Sequence, residues 1–146
     1  MGKLKLKHNQ LINSLERLHE AVIDFNQFES YACNADKDRV YRTYRDSMIQ
    51  RFEFNVDLFW KYVKRYLKDE LKMILKVEGP KPSIREACKA KLITEQDTET
   101  ILKMIDDRNM SSHIYKEEIA NQIAEKISEY YDLMTKYVEK LEPPQE

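Results

Sequence analysis

The sequence predicts an all-α protein, an antiparallel four-helix bundle with one short extra helix, and three observations carry that prediction. Only 2 glycines and 4 prolines occur among 146 residues, a composition suited to long helices with few connections. Apolar side chains recur at intervals of three and four residues over most of the chain, which is the period of an amphipathic helix. Strong stop signals fall at only a few places. The length lies near the commonest size of one domain, so residues 1–146 are expected to form a single helical bundle domain. An all-β fold is excluded.

The first helix is expected over residues 4–31, where Leu11, Leu15, Leu18, Val22 and Phe25 form one stripe. His8 and His19 are placed on its polar side as surface imidazoles. Asn34-Ala35-Asp36-Lys37-Asp38 ends it, because short polar side chains favour turns and then an N-cap. A second helix is expected from Asp38 to Lys76, with Met48, Phe52, Val56, Phe59, Val63, Leu67, Leu71 and Ile74 at helical spacing. At 1.5 Å per residue it would span about 57 Å, more than a compact monomer covers. Ile49, Phe54, Trp60, Tyr62 and Tyr66 broaden its apolar surface, which predicts contact with a second copy in a homodimer.

Val77-Glu78-Gly79-Pro80-Lys81-Pro82 is the one strong breaker. Ser83 and Glu86 have the spacing of a capping box that starts a short helix from Ile84 to Lys91. Thr94 is expected to cap the next helix, with Ile101, Leu102 and Ile105 facing inward and Asp97 and Glu99 suiting its positive end. The last helix runs from Lys116 to Leu141 on Ile119, Ile123, Ile127, Tyr130, Met134, Tyr137 and Leu141, and Pro143-Pro144 stops it.

With 25 basic and 26 acidic residues the formal net charge is −1, so no global field attracts a polyanion and any nucleic-acid contact must be local. Residues 38–76 carry 10 basic and 6 acidic side chains, whereas residues 94–146 carry 6 and 13. Cys33 and Cys88 form no CxxC pair, which fits two free thiols in a reducing cytoplasm. The N-terminus lacks an apolar signal region and Leu6 spoils a myristoylation signal at Gly2. No run approaches the ~18 apolar residues of a membrane span, so no membrane association is expected.

Glycine-rich phosphate loops and a nucleophile elbow are absent. His8, His19 and His113 are not spaced as metal ligands, so neither metal nor cofactor is expected. Glu53 is less ordinary. Ile49, Val56 and Trp60 surround it at helical spacing, which puts an acid beside the apolar face, where an arginine is its natural partner.

The most informative run is Arg108-Asn109-Met110-Ser111-Ser112-His113-Ile114-Tyr115. If the Thr94 helix continues through Ser112, Asn109 and His113 stack as i and i+4, with Arg108 beside them over Ser112. Such a group suits a phosphodiester, since imidazole titrates near neutral pH, guanidinium grips phosphate oxygens and an amide orients either. The structural alternative stays open: Asn109 ends the helix, Ser112 caps the next and His113 packs between them.

Arg-Asn-x-x-x-His-x-Tyr before a final amphipathic helix, with Gln50-Arg51-Phe52-Glu53-Phe54 and Trp60-Lys61 on the long helix and Arg85-Glu86-Ala87-x-Lys89-Ala90-x-Leu92-Ile93 between, resembles the nucleotidyltransferase substrate-binding protein family. That family belongs to the HEPN superfamily and includes HepT-type toxins of MNT/HEPN toxin-antitoxin pairs. The resemblance spans roughly residues 5–140. It implies a HEPN-like bundle that dimerises and is encoded beside a small MNT-fold nucleotidyltransferase, the antitoxin.

By that resemblance Arg108, Asn109 and His113 are the catalytic residues of a metal-independent endoribonuclease, and Tyr115 is the acceptor on which the partner places AMP. Glu53 and Ser112 are the supporting candidates. The function expected first is an RNA-cleaving toxin silenced by its MNT partner. The alternative is a non-catalytic subunit whose cleft binds a nucleotide or presents a substrate to that nucleotidyltransferase. No basic cluster flanks the run.

Overall fold

A computed structural model describes residues 2–31, 36–113 and 116–145, with backbone alone at positions 29, 31 and 113. It contains α1 (Lys3–Asn26), α2 (Phe28–Tyr31), α3 (Lys37–Asp69), α4 (Pro80–Lys89), α5 (Glu95–Met110), a 3-10 turn at Ser111–His113, and α6 (Glu117–Lys140). No strand occurs among the described residues. The all-α fold is the one expected, four longer helices with a short α4 inserted and the one-turn α2 in addition.

α3 is the spine. α1 runs antiparallel to it, shown by Phe25 against Tyr41 at 5.3 Å between ring centroids, the Asn55 amide donating to the Ser14 carbonyl at 3.2 Å, and His8 against Tyr62 at 5.4 Å. α6 runs parallel to α3, with the Tyr41 hydroxyl on Asn121 at 3.0 Å, Phe52 stacked on Tyr130 at 5.6 Å, and the Tyr62 hydroxyl donating to the Leu141 carbonyl at 2.5 Å. α5 lies antiparallel to α6, because Asp107 meets Tyr130 while Asp97 meets Tyr137. Leu11, Leu18, Ile49, Phe52, Val63, Leu67, Ile101, Ile127 and Met134 meet in one buried core.

Several helix limits differ from expectation, each for a local reason. α1 stops at Asn26 rather than residue 31: the N–H of Gln27 bonds to the carbonyls of both Ile23 and Asp24, and a separate turn comes next. The N-cap of α3 is Asp36, whose carboxylate accepts from the N–H groups of Asp38 and Arg39. α3 ends at Asp69 instead of Lys76 although neither glycine nor proline is present. Lys72 takes a left-handed φ of 55° and the Met73 N–H turns back to the Leu67 carbonyl at 3.1 Å, so a lysine does here what glycine usually does.

α4 starts earlier than Ile84. Pro80 and Pro82 lie in its first turn, where a missing N–H breaks no helical bond and a fixed φ favours the helix. Ser83 is therefore interior, fully buried and without a partner for its hydroxyl, so the expected capping box is not formed. Lys91, with φ 65°, ends α4 in a Schellman motif: Leu92 N–H to Ala87 carbonyl and Lys91 N–H to Cys88 carbonyl, both 3.0 Å. Thr94 caps α5 as expected, its hydroxyl oxygen accepting from the Asp97 N–H at 3.1 Å.

The excess apolar surface expected on the long helix is largely absorbed by its own chain. Ile49 and Tyr62 are buried, Trp60 and Tyr66 pack against the core, and Phe54 stands out, 60% exposed; Leu71 and Ile74, expected on the same stripe, lie beyond the end of α3 and are exposed as well. His8 also differs from expectation. It is 3% exposed and its Nε2 donates to the Val138 carbonyl at 2.9 Å, because Leu4, His8 and Leu11 extend the buried stripe of α1 toward its N-terminus. His19 is exposed, with its ring 5.0 Å from that of Tyr131. Cys88 is a half-buried free thiol, and Cys33 lies outside the described residues.

Candidate functional site

The end of α5 presents three successive side chains to three different helices, as a rotation of about 100° per residue allows. Asp106 pairs with Lys81 of α4 at 2.5 Å. Asp107 accepts from the Tyr130 hydroxyl of α6 at 2.6 Å and pairs with Lys126 at 3.4 Å. Arg108 reaches α3, where Nε and Nη2 donate to the two oxygens of Asp57 at 3.0 and 3.1 Å and Nη1 donates to Glu53 at 2.9 Å. All three side chains of that last cluster are partly shielded from water.

The partner expected for Glu53 is thus Arg108, one of the residues singled out for catalysis. Asp57 went unread, although Glu53-x-x-x-Asp57 puts two carboxylates one turn apart on the same face. The hydrogen bonds it donates to Asp57 outweigh burial and hold the Arg108 guanidinium above its ordinary value, so it stays charged throughout the working pH range. One cation between two anions leaves the cluster at a formal −1.

The remaining residues of the run are arranged differently from the expected stack. The α-helical register stops at Met110, two residues short of the expected Ser112, and the backbone tightens into the 3-10 turn. Asn109 is exposed, and Arg108 turns away toward α3. The Ser111 hydroxyl donates to the Arg108 carbonyl at 2.6 Å and the Ser112 hydroxyl to the Asn109 carbonyl at 2.9 Å, so both satisfy the end of α5. Ser112 does not cap α6, whose N-cap position is Lys116 with no side-chain cap. The His113 side chain and the whole of Tyr115 lie outside the described residues.

A second ion-pair cluster was not anticipated. Arg45 is 1% exposed and donates to Glu117 at 2.5 Å, Asp46 at 2.9 Å and Asn121 at 3.0 Å. Burial opposes its charge, yet the bonds to Glu117 and Asp46 keep the guanidinium above its ordinary value. This cluster fixes the first turn of α6, just after the run that ends at Tyr115.

A family model described as "Nucleotidyltransferase substrate binding protein like" matches residues 6–143. The chain belongs to this family. Its fold is shared with HI0074 of Haemophilus influenzae, at 26% identity and a TM-score of 0.77 over 93% of this chain and 99% of that one. That structure was described as revealing the fold of a substrate binding domain of a nucleotidyltransferase. A Thermus thermophilus protein matches at 26% identity and a TM-score of 0.66, covering 86% of this chain and 99% of its own. A chain of a toxin-antitoxin structure with AMP-PNP shares the fold at 14% identity and a TM-score of 0.67, over 97% and 99% of the two chains. No curated protein matches.

Among the described residues no helix is long and apolar enough to cross a membrane, and no group of three His, Cys, Asp or Glu side chains is placed to hold a metal ion.

Proposed function

We propose that this family member is the binding subunit of a cytoplasmic two-component nucleotidyltransferase system, holding a nucleotide or an acceptor substrate for a separately encoded MNT-fold enzyme. The observation that carries this reading is the pair of carboxylates on Arg108. Three of its five N–H donors are committed to Asp57 and Glu53, and the surplus negative charge repels a phosphodiester. This geometry favours the non-catalytic alternative over the nuclease expected first from the run. Family membership and the description of the Haemophilus relative support the same role.

The test is to mix the purified chain with the MNT-fold protein encoded beside it and follow complex formation and nucleotidyl transfer. The expected result is a stable complex, transfer that depends on this chain, and no RNA cleavage by this chain alone. Absence of any complex with that enzyme overturns the reading.

The spacing of Arg108, Asn109 and His113 favours a second reading, a metal-independent endoribonuclease silenced by its partner. One His113 would take the ribose 2′-hydroxyl proton and the His113 of a second copy would protonate the leaving 5′-oxygen, which requires a homodimer. AMP placed on Tyr115 would then block RNA by charge and bulk. Cleavage that survives EDTA, leaves 2′,3′-cyclic phosphate ends and vanishes in His113→Ala would establish it in place of the first.

A further inference from the structure

Beside the α3 face that carries Glu53 and Asp57, a cleft of about 760 Å³ opens between α1 and α3, within the size range of small-molecule sites. Its lining holds two arginines, Arg17 and Arg51, and no acidic side chain; Glu20 and Asp24 line a smaller adjoining pocket of about 100 Å³ that shares Arg17, Ser47 and Arg51. Neither guanidinium is in an ion pair with a described residue, in contrast to Arg45, Arg65 and Arg108. Phe54, the most exposed aromatic of α3, stands at the same cleft.

Asn55 supplies the independent sign that something is meant to bind there. It is 1% exposed, and its amide nitrogen donates to the carbonyls of Ser14 at 3.2 Å and Arg51 at 2.8 Å. Two carbonyl partners fix that atom as the nitrogen, so the other atom must be the oxygen. That Oδ1 has no donor. A buried acceptor left bare is destabilising, and a ligand N–H in the cleft would remove the penalty.

The parts are in a usable order. Arg51 and Asn55 are one helical turn apart on one face of α3, and Arg17 follows Ser14 by one turn less a residue on α1, so the cationic end and the amide end are offset along the cleft. We propose that this cleft binds a nucleoside phosphate: base stacked on Phe54, a base N–H on Asn55 Oδ1, and phosphate oxygens on Arg17 and Arg51. Extending the binding-subunit reading above, this assigns the ligand a class and a place distinct from the Arg108 cluster.

The test is calorimetric titration of the full chain with ATP. Phe54→Ala and the double variant Arg17→Gln/Arg51→Gln should each weaken binding by about tenfold or more, from lost stacking and lost charge-assisted bonds respectively. A charge-matched double variant away from the cleft, Arg39→Gln/Arg85→Gln, should bind as the parent does. All five side chains are exposed, so these variants should fold, and a thermal melt checks that.

Equal weakening in the control would reduce the effect to bulk charge and overturn the proposal. So would a short single-stranded oligoribonucleotide that binds where ATP does not. Conversion of a dimer to a monomer by Phe54→Ala, with ATP affinity unchanged, would make the cleft a contact between copies and also defeat it. Failure to bind ATP while the chain still forms a complex with its nucleotidyltransferase would sink this cleft assignment and leave the binding-subunit reading standing.

Discussion

The guanidinium of Arg108 lies side-on to the carboxylate of Asp57, with two parallel N–H···O bonds of 3.0 and 3.1 Å joining the end of α5 to the middle of α3. Glu53 receives a third N–H from the same group at 2.9 Å. Because Asp106 and Asp107 bind α4 and α6 from the adjacent positions, this turn of α5 is tied on three sides. The 3-10 turn at Ser111–His113 therefore starts from a fixed base.

A double-mutant cycle on Arg108→Gln and Asp57→Asn should report this tie. The expected coupling is about 1–3 kcal/mol in urea unfolding, the range for hydrogen bonds to charged groups. Arg108→Lys should recover only part of it, since an ammonium cannot bridge both oxygens of Asp57 while reaching Glu53. Additive single variants would show that the pair is incidental to the fold.

Acid should loosen the same helix from its other end. The Lys136 ammonium and then the Tyr137 hydroxyl, at 2.8 and 2.5 Å, hold the Asp97 carboxyl below its ordinary value of 3.8. A carboxyl depressed in the folded state contributes stability that is present above its unfolded value and is lost as pH falls through the folded one. Stability measured from pH 7 downward should therefore drop below about pH 4, and Asp97→Asn should flatten that part of the profile. An unchanged profile would remove Asp97 as a source.

How far these features were readable varies with their physics. Repeating apolar positions revealed every long helix, because burial is encoded locally at the helical period. Glu53 beside that stripe announced its need for a cation. The tie to Arg108 crosses 55 residues, and nothing local ranks Asp57 above the other acids of α3. A stripe that starts at Leu11 leaves His8 on the polar side, whereas Leu4 sets the register that buries it. The Arg45 cluster is not legible locally, since two of its partners, Glu117 and Asn121, lie 72 and 76 residues away on α6. The resemblance to the family rests on ordered blocks of residues, which do not depend on where any single side chain is buried.

The two left-handed lysines were unreadable for another reason: lysine carries no stop signal, and its φ is imposed by the packing of the next residues in the chain. Lys91→Gly should stabilise the chain by up to about 1 kcal/mol, because glycine takes φ 65° without the Cβ clash. For a chain of this size that is a rise of roughly 2–4 °C in Tm. Lys91→Ala should give no gain. A glycine variant that melts no higher than the parent would mean that added freedom in the unfolded chain cancels the relief.

The buried end of α6 can be tested through its two donors. Carbonyls in the final turn of a helix have no intrahelical donor, and here two come from other helices: His8 of α1 donates to Val138 at 2.9 Å and Tyr62 of α3 donates to Leu141 at 2.5 Å. The two donor rings also pack on each other at 5.4 Å. His8→Phe keeps most of the ring volume and removes the donor together with a buried Nδ1 that has no partner, so its loss should be at most the cost of a buried carbonyl without a partner, about 1–3 kcal/mol. Tyr62→Phe removes only a hydroxyl and should lose a similar amount. Since the rings touch, the double variant should lose less or more than the sum, by at least about 0.5 kcal/mol. Amide exchange should quicken selectively in the last turn of α6 in both single variants. If His8→Phe unfolds at the parental urea concentration, then Val138 finds another donor and the buried imidazole does not anchor α6.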